Sequence, residues 1–359
     1  MSSARKEGAA LIPNGAIGGP AAWRSATIQT CSDWLHCFSK TELAEIATAT
    51  RMHVESGSQM GEITRASFNL PTLGPRLQLI LQELLHGRGF VQFRGFGVGA
   101  VTTEEAAIAY LGIGAHLGSF RSQNAKGHLL GHVRNLGLDI NKPTTRYYQT
   151  DRALEFHTDS CDIVGLMCMQ PSKAGGESRI VSSVTLHDVM LDHRPDLRAA
   201  LFNAFPTDRR GEVPMGMLPW FEVPVFNCHA GELTTIYSGQ YIRSAQANHP
   251  GARRLTPLET EALDYLDALT NDPMLNLTIE FRPGDMQFLH NHQILHSRTD
   301  FEDFPEPGRR RHLLRLWLAP QGARSLPPSF AQRYGSPEVG NRGGIVTDNT
   351  VLQFALEPK

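Results

Sequence analysis

The chain carries His157 and Asp159 two residues apart, in the run Leu154-Glu-Phe-His-Thr-Asp-Ser160. Far downstream, the segment from Met286 to His296 holds three further histidines, His290, His292 and His296. Arg311 lies fifteen residues beyond the last of them, and Arg315 four residues further on. Two imidazoles and one carboxylate on a single ion leave about three coordination positions open, which is the donor set of non-haem Fe(II) oxygenases. A nearby arginine suits a carboxylate co-substrate, because its planar fork can grip a carboxylate through two parallel hydrogen bonds.

A lone H-x-D triplet is weak evidence. About one is expected by accident in a chain with 15 histidines. Its bland reading is a hydrogen-bonded pair at a turn. On a strand, however, residues two apart project to the same face, so one short segment can offer both groups to one ion. The third donor must come from elsewhere. Read as one long regular strand, 286–296 places His290, His292 and His296 on a common face, and periodicity does not choose among them. In the segment 311–318, alternation puts Arg311, Leu313, Arg315 and Trp317 on one face and His312, Leu314, Leu316 and Leu318 on the other. Two arginines among inward-facing apolar residues are costly unless paired with anions. The anions are either internal carboxylates such as Asp285 or Glu280, or ligands. In the second case Arg311 holds a co-substrate carboxylate and Arg315 the substrate.

The elements that must position these groups are partly legible. Ser39-Lys-Thr-Glu42 is a capping box opening a helix to about Val54. Helical spacing predicts further helices at about 75–86, 103–116 and 257–269. Short apolar runs separated by Gly, Pro and polar clusters fill the rest, at 128–133, 163–169, 177–181, 223–228, 233–237, 276–281, 286–296 and 312–318. This mixture of strands and flanking helices (α+β, mainly β) suggests a β-barrel or jelly roll wrapped by helices. Residues 1–22, rich in Gly, Ala and Pro, read as a loose tail, and 321–359 as an extension in which Phe330, Tyr334, Val346 and Phe354 could pack onto a single domain at 23–320.

Composition narrows the function classes. The chain has 359 residues, 41% of them hydrophobic, with a net charge of −2. Neither a nucleic-acid nor an anionic-membrane partner is implied. No apolar run approaches the ~20 residues of a membrane span, and the first residues lack the apolar stretch of a secretory signal. Five cysteines without a CxxC pair fit a reducing cytoplasm. A homo-oligomer is compatible with this composition.

With these residues in place, the sequence resembles the taurine dioxygenase (TauD/TfdA-like) family of Fe(II)/2-oxoglutarate-dependent oxygenases. The resemblance spans about 90–320. It rests on Phe93-Arg-Gly95, His157-Thr-Asp159, Gly175-Gly-Glu-Ser178, Gly284-Asp285, Asn291, Leu295-His-Ser-Arg298 and Arg310-Arg-His-Leu-Leu-Arg315, in the family's order. It implies a double-stranded β-helix, the squashed jelly roll of cupins. It also implies that His157, Asp159 and His296 bind Fe(II), leaving His290 and His292 as extra groups. Arg311 and Ser178 would contact 2-oxoglutarate, with a serine where the family has threonine. Arg315 would contact the substrate's anionic group. Gln123, Arg134, Tyr148 and Phe156, on segments before and at the H-x-D pair, are expected to line the substrate pocket, with 237–243 as a further candidate. The implied reaction uses O2 and oxidises an unactivated C–H bond of a small anionic substrate, an amino acid or other carboxylate or sulfonate. It is coupled to decarboxylation of 2-oxoglutarate to succinate and CO2. Hydroxylation is the expected outcome, with desaturation or oxidative cyclisation as variants. A cupin-like metalloenzyme without 2-oxoglutarate, or a binding jelly roll without chemistry, are the competing classes.

Overall fold

The computed structural model describes residues 12–140, 142 and 145–357. Two sheets dominate it. The major sheet runs in the order Leu35–Cys37, Phe90–Arg94, Met286–His290, Ile163–Gln170, His312–Ala319, His128–Val133 and Gln353–Phe354, with Ser119–Phe120 added beside the end of His312–Ala319. The minor sheet runs Leu277–Ile279, Ser178–Ser182, Ile294–Arg298, Leu154–His157. From Leu154 onward the chain shuttles between the two: minor, major, minor, then after a long excursion minor, major, minor, major. This is the winding of a double-stranded β-helix, and pairing within it is antiparallel throughout.

Alternation sorts the side chains between two environments. In His312–Ala319, Leu314, Leu316 and Leu318 enter a core with Leu77, Ile80 and Leu84 of the helix Leu73–His86 and with Ile108 and Leu111 of the helix Thr103–Ala115. Arg315 and Trp317 face the other way, into a cavity. The minor sheet likewise turns Phe156, Val181 and Leu295 toward a second core built on the helices Ser183–His193, Pro195–Ala200 and Pro257–Thr270. The predicted capping box is present, with Glu42 N–H donating to Ser39 Oγ and Ser39 N–H to a Glu42 carboxylate oxygen.

Four features differ from the sequence expectation. The segment 286–296 is not one strand but two, Met286–His290 in the major sheet and Ile294–Arg298 in the minor, joined by a tight turn. His290, His292 and His296 therefore do not share a face. The single helical insertion after the H-x-D pair is accompanied by Ser183–His193, Pro195–Ala200 and Gly239–Asn248. Ahead of Trp23, Ile17 and Gly18 donate their backbone N–H groups to the Asp188 carboxylate, and Ala21 is buried. The described part of the expected loose tail is thus fastened by hydrogen bonds. Residues 1–11 lie outside the described residues. Finally, Phe330 and Tyr334 are buried and Phe354 packs on the first core, but Val346 is exposed.

Candidate active site

His157 ends the strand Leu154–His157, and His296 sits directly opposite it across the ladder. Their ring centroids are 4.2 Å apart. Asp159 follows in the loop, with Oδ1 3.8 Å from His157 Nε2 and Oδ2 3.7 Å from His296 Nε2. The three donor atoms lie within 4.8 Å of one another, the only such His/Cys/Asp/Glu group of three among the described residues. His157 Nδ1 is 2.9 Å from the Glu155 carbonyl, which fixes the tautomer and leaves the Nε2 lone pair for a metal. Burial and the nearby His157 push His296 down to about 3, so it is a neutral donor at pH 7. Burial raises the Asp159 carboxyl, but Arg315, His296 and His157 outweigh it and hold the group ionised below the usual range. Deprotonated imidazoles and a carboxylate are the protonation states a divalent metal requires.

The loop bearing Asp159 is held from both sides. Asp159 N–H donates to Asn291 Oδ1 at 2.8 Å, and Asn291 Nδ2 donates to the carbonyls of Asp159 and Cys161. Trp317 Nε1 donates to Asp159 Oδ2 at 3.0 Å. His290 and His292 are fully buried in the turn beneath, neither on the metal group nor on the surface. His290 meets Gln293, and His292 Nε2 meets Asp162 at 2.8 Å. Asp162 also takes the buried guanidinium of Arg342.

Two cavities meet at this group. The inner one lies between the sheets and is lined by His157, His296, Ser178, Arg298, Arg311 and Arg315, among others. Arg311 is 4% exposed, and its Nη1 has no hydrogen-bond partner. Burial pushes it down to about 10. Neither Asp285 nor Glu280 neutralises it. Asp285 is engaged by Arg94 and Gln92, and Asp303 accepts only the Arg311 backbone N–H. Gly176, at φ 78°, lets the chain pass close to Arg311, where an added Cβ would sit 3.0 Å from Nε. Ser178 is buried, its Oγ 3.3 Å from Gln287. Arg298, not singled out as a site residue from sequence, is similarly buried with an unpartnered Nη1, and burial with Arg311 beside it pushes it down to about 9. A buried cavity with two unneutralised guanidiniums beside a metal-ligand group fits a dicarboxylate such as 2-oxoglutarate.

The outer cavity opens on the other side of the metal group. Arg315, Tyr148, Gln123 and Phe156 all border it. Arg315 Nη1 is 3.5 Å from Asp159 Oδ2, and its guanidinium lies 4.7 Å from the Tyr148 ring centroid. Gln123 is buried and acts on Arg315: its Oε1 accepts from Arg315 Nε at 2.7 Å and its Nε2 donates to the Arg315 carbonyl. Gly131, the ladder partner of Arg315, makes that room, since an added Cβ would lie 2.2 Å from Gln123 Oε1. Phe156 points mainly into the second core, beneath Arg179. Arg134 lines neither cavity; its guanidinium instead donates to the Pro307 carbonyl. The 237–242 stretch does border the outer cavity, as do Arg146, Glu212 and Arg333, which no sequence motif marks.

Comparison with known proteins agrees with this geometry. The family profile for taurine catabolism dioxygenase TauD, TfdA family, matches residues 55–317. The chain is 28% identical over 324 residues to FR-33289 synthase of Streptomyces rubellomurinus, covering 89% of this chain and 95% of that protein. It is 29% identical over 329 residues to the taurine hydroxylase-like protein SAT17 of Stachybotrys chartarum, covering 89% and 84%. In fold it is similar to the crystal structure of an asparagine oxygenase, with a TM-score of 0.63 at 14% identity, covering 89% of this chain and 99% of that one. The chain belongs to the TauD/TfdA family and is an iron- and 2-oxoglutarate-dependent dioxygenase.

Proposed function

We propose that the enzyme hydroxylates an unactivated C–H bond of a small anionic substrate. In this reading His157, Asp159 and His296 would hold Fe(II). Arg311 and Ser178, with Arg298 alongside, would hold 2-oxoglutarate. Arg315 would hold the substrate's acidic group. The observation that carries it is Arg311: a buried guanidinium with a free Nη, no carboxylate partner, and a cavity leading from it to His157 and His296. Iron and 2-oxoglutarate held there would activate O2, one oxygen atom passing to the substrate C–H bond as a hydroxyl and the other to 2-oxoglutarate, which leaves as succinate and CO2.

The chain's own residues orient and enclose. Glu155 and Asn291 fix the donor atoms of His157 and Asp159. Gln123 and Tyr148 hold the Arg315 fork, so its direction is set before substrate arrives. Arg315 lines both cavities and stands 3.5 Å from Asp159, which would bring a bound acid close to the metal group. Relatives whose names include taurine hydroxylase-like protein and uridine-5'-phosphate dioxygenase are consistent with an anionic substrate. A cupin-like enzyme that does not use 2-oxoglutarate would leave the buried Arg311 without a role.

The test is succinate release from the Fe(II)-loaded enzyme, with and without 2-oxoglutarate. Slow release without any other substrate is expected, and markedly slower release from Arg311→Ala at the same subsaturating 2-oxoglutarate concentration. No release from the unaltered enzyme under any condition would sink the reading.

A further inference from the structure

The segment beyond 320, outside the range of the family match, contributes Arg333 and Ile345 to the wall of the outer cavity. We infer that Arg333 is a substrate-binding residue, and that the substrate carries two acidic groups, one taken by Arg315 and the other by Arg333. This rests on the oxygenase reading above and names the substrate class for it.

Arg333 sits in the short helix Ala331–Tyr334 and is half-buried. Its Nε donates to Ser160 Oγ at 2.6 Å, and its guanidinium lies 5.4 Å from the Phe221 ring centroid. These two contacts aim the fork. Its terminal nitrogens have no hydrogen-bond partner among the described residues, and no carboxylate stands within ion-pair distance. Burial holds the group below the ordinary arginine value. Glu212 acts on it only at longer range and is already paired with Arg146, so the terminal nitrogens stay open to the cavity, and a ligand's carboxylate, phosphate or phosphonate is the partner the planar fork suits.

The other charges on the wall are already matched. Arg146 is paired with Glu212 at 2.5 Å and also donates to Tyr241 Oη. Asp159 belongs to the metal group. Glu155 is exposed at the rim. Arg315 and Arg333 are what remain, so the cavity presents two cations to whatever fills it.

Anchoring the extension does not require Arg333. Arg342 pairs with Asp162, Gly344 N–H donates to the Ser160 carbonyl at 2.6 Å, and Phe330 and Tyr334 are buried in a cluster with Phe221 and Leu326. A guanidinium held beside Ser160, one residue from a metal donor, is therefore available for a ligand.

The test compares ω-phosphonocarboxylates having two to five methylenes with alkylphosphonates of the same length. Binding to the whole enzyme is read by thermal shift, and turnover by probe-stimulated succinate release. At least one diacid should act at a concentration about tenfold or more below its monoacid counterpart, the difference expected from one charge-assisted pair. Arg333→Gln should bring that ratio near one, Arg333→Lys should restore part of it, and Ser160→Ala, which keeps the charge, should preserve most of it. A ratio near one in the unaltered enzyme across the whole series overturns the inference. So does equal weakening of both probe types by Arg333→Gln, which would mark a structural role. Failure of the oxygenase reading looks different: no succinate from 2-oxoglutarate, with or without probe.

Discussion

The two cavities that meet at the metal group are built on different principles. The inner cavity takes its polar groups from the two sheets: Ser178, His296 and Arg298 lie within strands and Arg311 immediately precedes one. The outer cavity borrows most of its wall from loops, the helix Gly239–Asn248 and the extension that carries Arg333. Cross-strand register fixes a side chain to a fraction of an ångström, whereas loops tolerate exchange and insertion. The division suits an enzyme whose co-substrate is shared across a family while its substrate is its own. It also makes the two cavities separable by mutation.

The largest effect is expected where the cavities meet. His157→Ala or His296→Ala should remove both iron binding and turnover, because two donors no longer close a site of this type. Anaerobic Fe(II) titration and succinate release check this together. A variant that keeps iron but loses turnover would move the histidine out of the ligand set.

Next comes the outer wall. Arg342 and Asp162 are both fully buried; an uncompensated charge of such a pair costs about 3–5 kcal/mol, an upper bound here because His292 still meets the carboxylate. Arg342→Met should lower the urea midpoint accordingly and weaken substrate more than 2-oxoglutarate. If both ligands weaken equally, the extension supports the whole barrel, and the two cavities are one mechanical unit.

The inner cavity is probed by a pair of arginine variants. Arg311→Ala should raise the 2-oxoglutarate Kd by about 10- to 100-fold, as a charge-assisted pair of roughly 1.5–3 kcal/mol is lost. Arg315→Ala should fall chiefly on the substrate. The reverse pattern would exchange their roles. If neither variant moves 2-oxoglutarate affinity, Arg298, buried beside Arg311 with its own free Nη1, is the residue that holds it.

What the sequence revealed follows the same division. The H-x-D pair, the alternation of 311–318 and the capping box at Ser39 are local patterns, and local patterns survive into the fold. The break between His290 and Ile294 is not local. It depends on the Asn291 amide bonding a loop some 130 residues earlier, so an apolar run of strand character reads straight through it. The helix Ser183–His193 was hidden for a related reason. It is buried on most sides, with apolar Val184, Leu186, Val189 and Met190 spread around it, so it shows little amphipathic signal beyond its cap, Ser182 Oγ accepting from Thr185 N–H. Arg134 lies on a segment ahead of the H-x-D pair, yet its guanidinium turns away to Pro307. Gln123, also ahead of that pair, reaches the site as the clamp on Arg315. Arg333 carries no motif, because its position depends on how the last forty residues wrap the Asp159 loop.

The smallest effect lies behind the inner cavity, where His312 follows Arg311 and stacks on His132, the rings 2.8 Å apart at their nearest nitrogens. His132 in turn meets the Ala355 carbonyl near the end of the described chain. Burial and the neighbouring His132 push His312 down to about 3. A histidine whose folded value lies below its unfolded one contributes stability that is complete above pH ~6.5 and declines as pH falls from there toward 3. Between pH 7.5 and 5.5 the loss from this group should be at most about 1 kcal/mol, since the site is only half-buried. Other groups titrate over the same range, so the informative quantity is the difference between the unaltered enzyme and His312→Gln in urea midpoint at each pH. A narrowing gap on acidification is expected. A constant gap would mean that His312 acts through packing alone, and that the strand bearing Arg315 is insensitive to charge at the end next to Arg311.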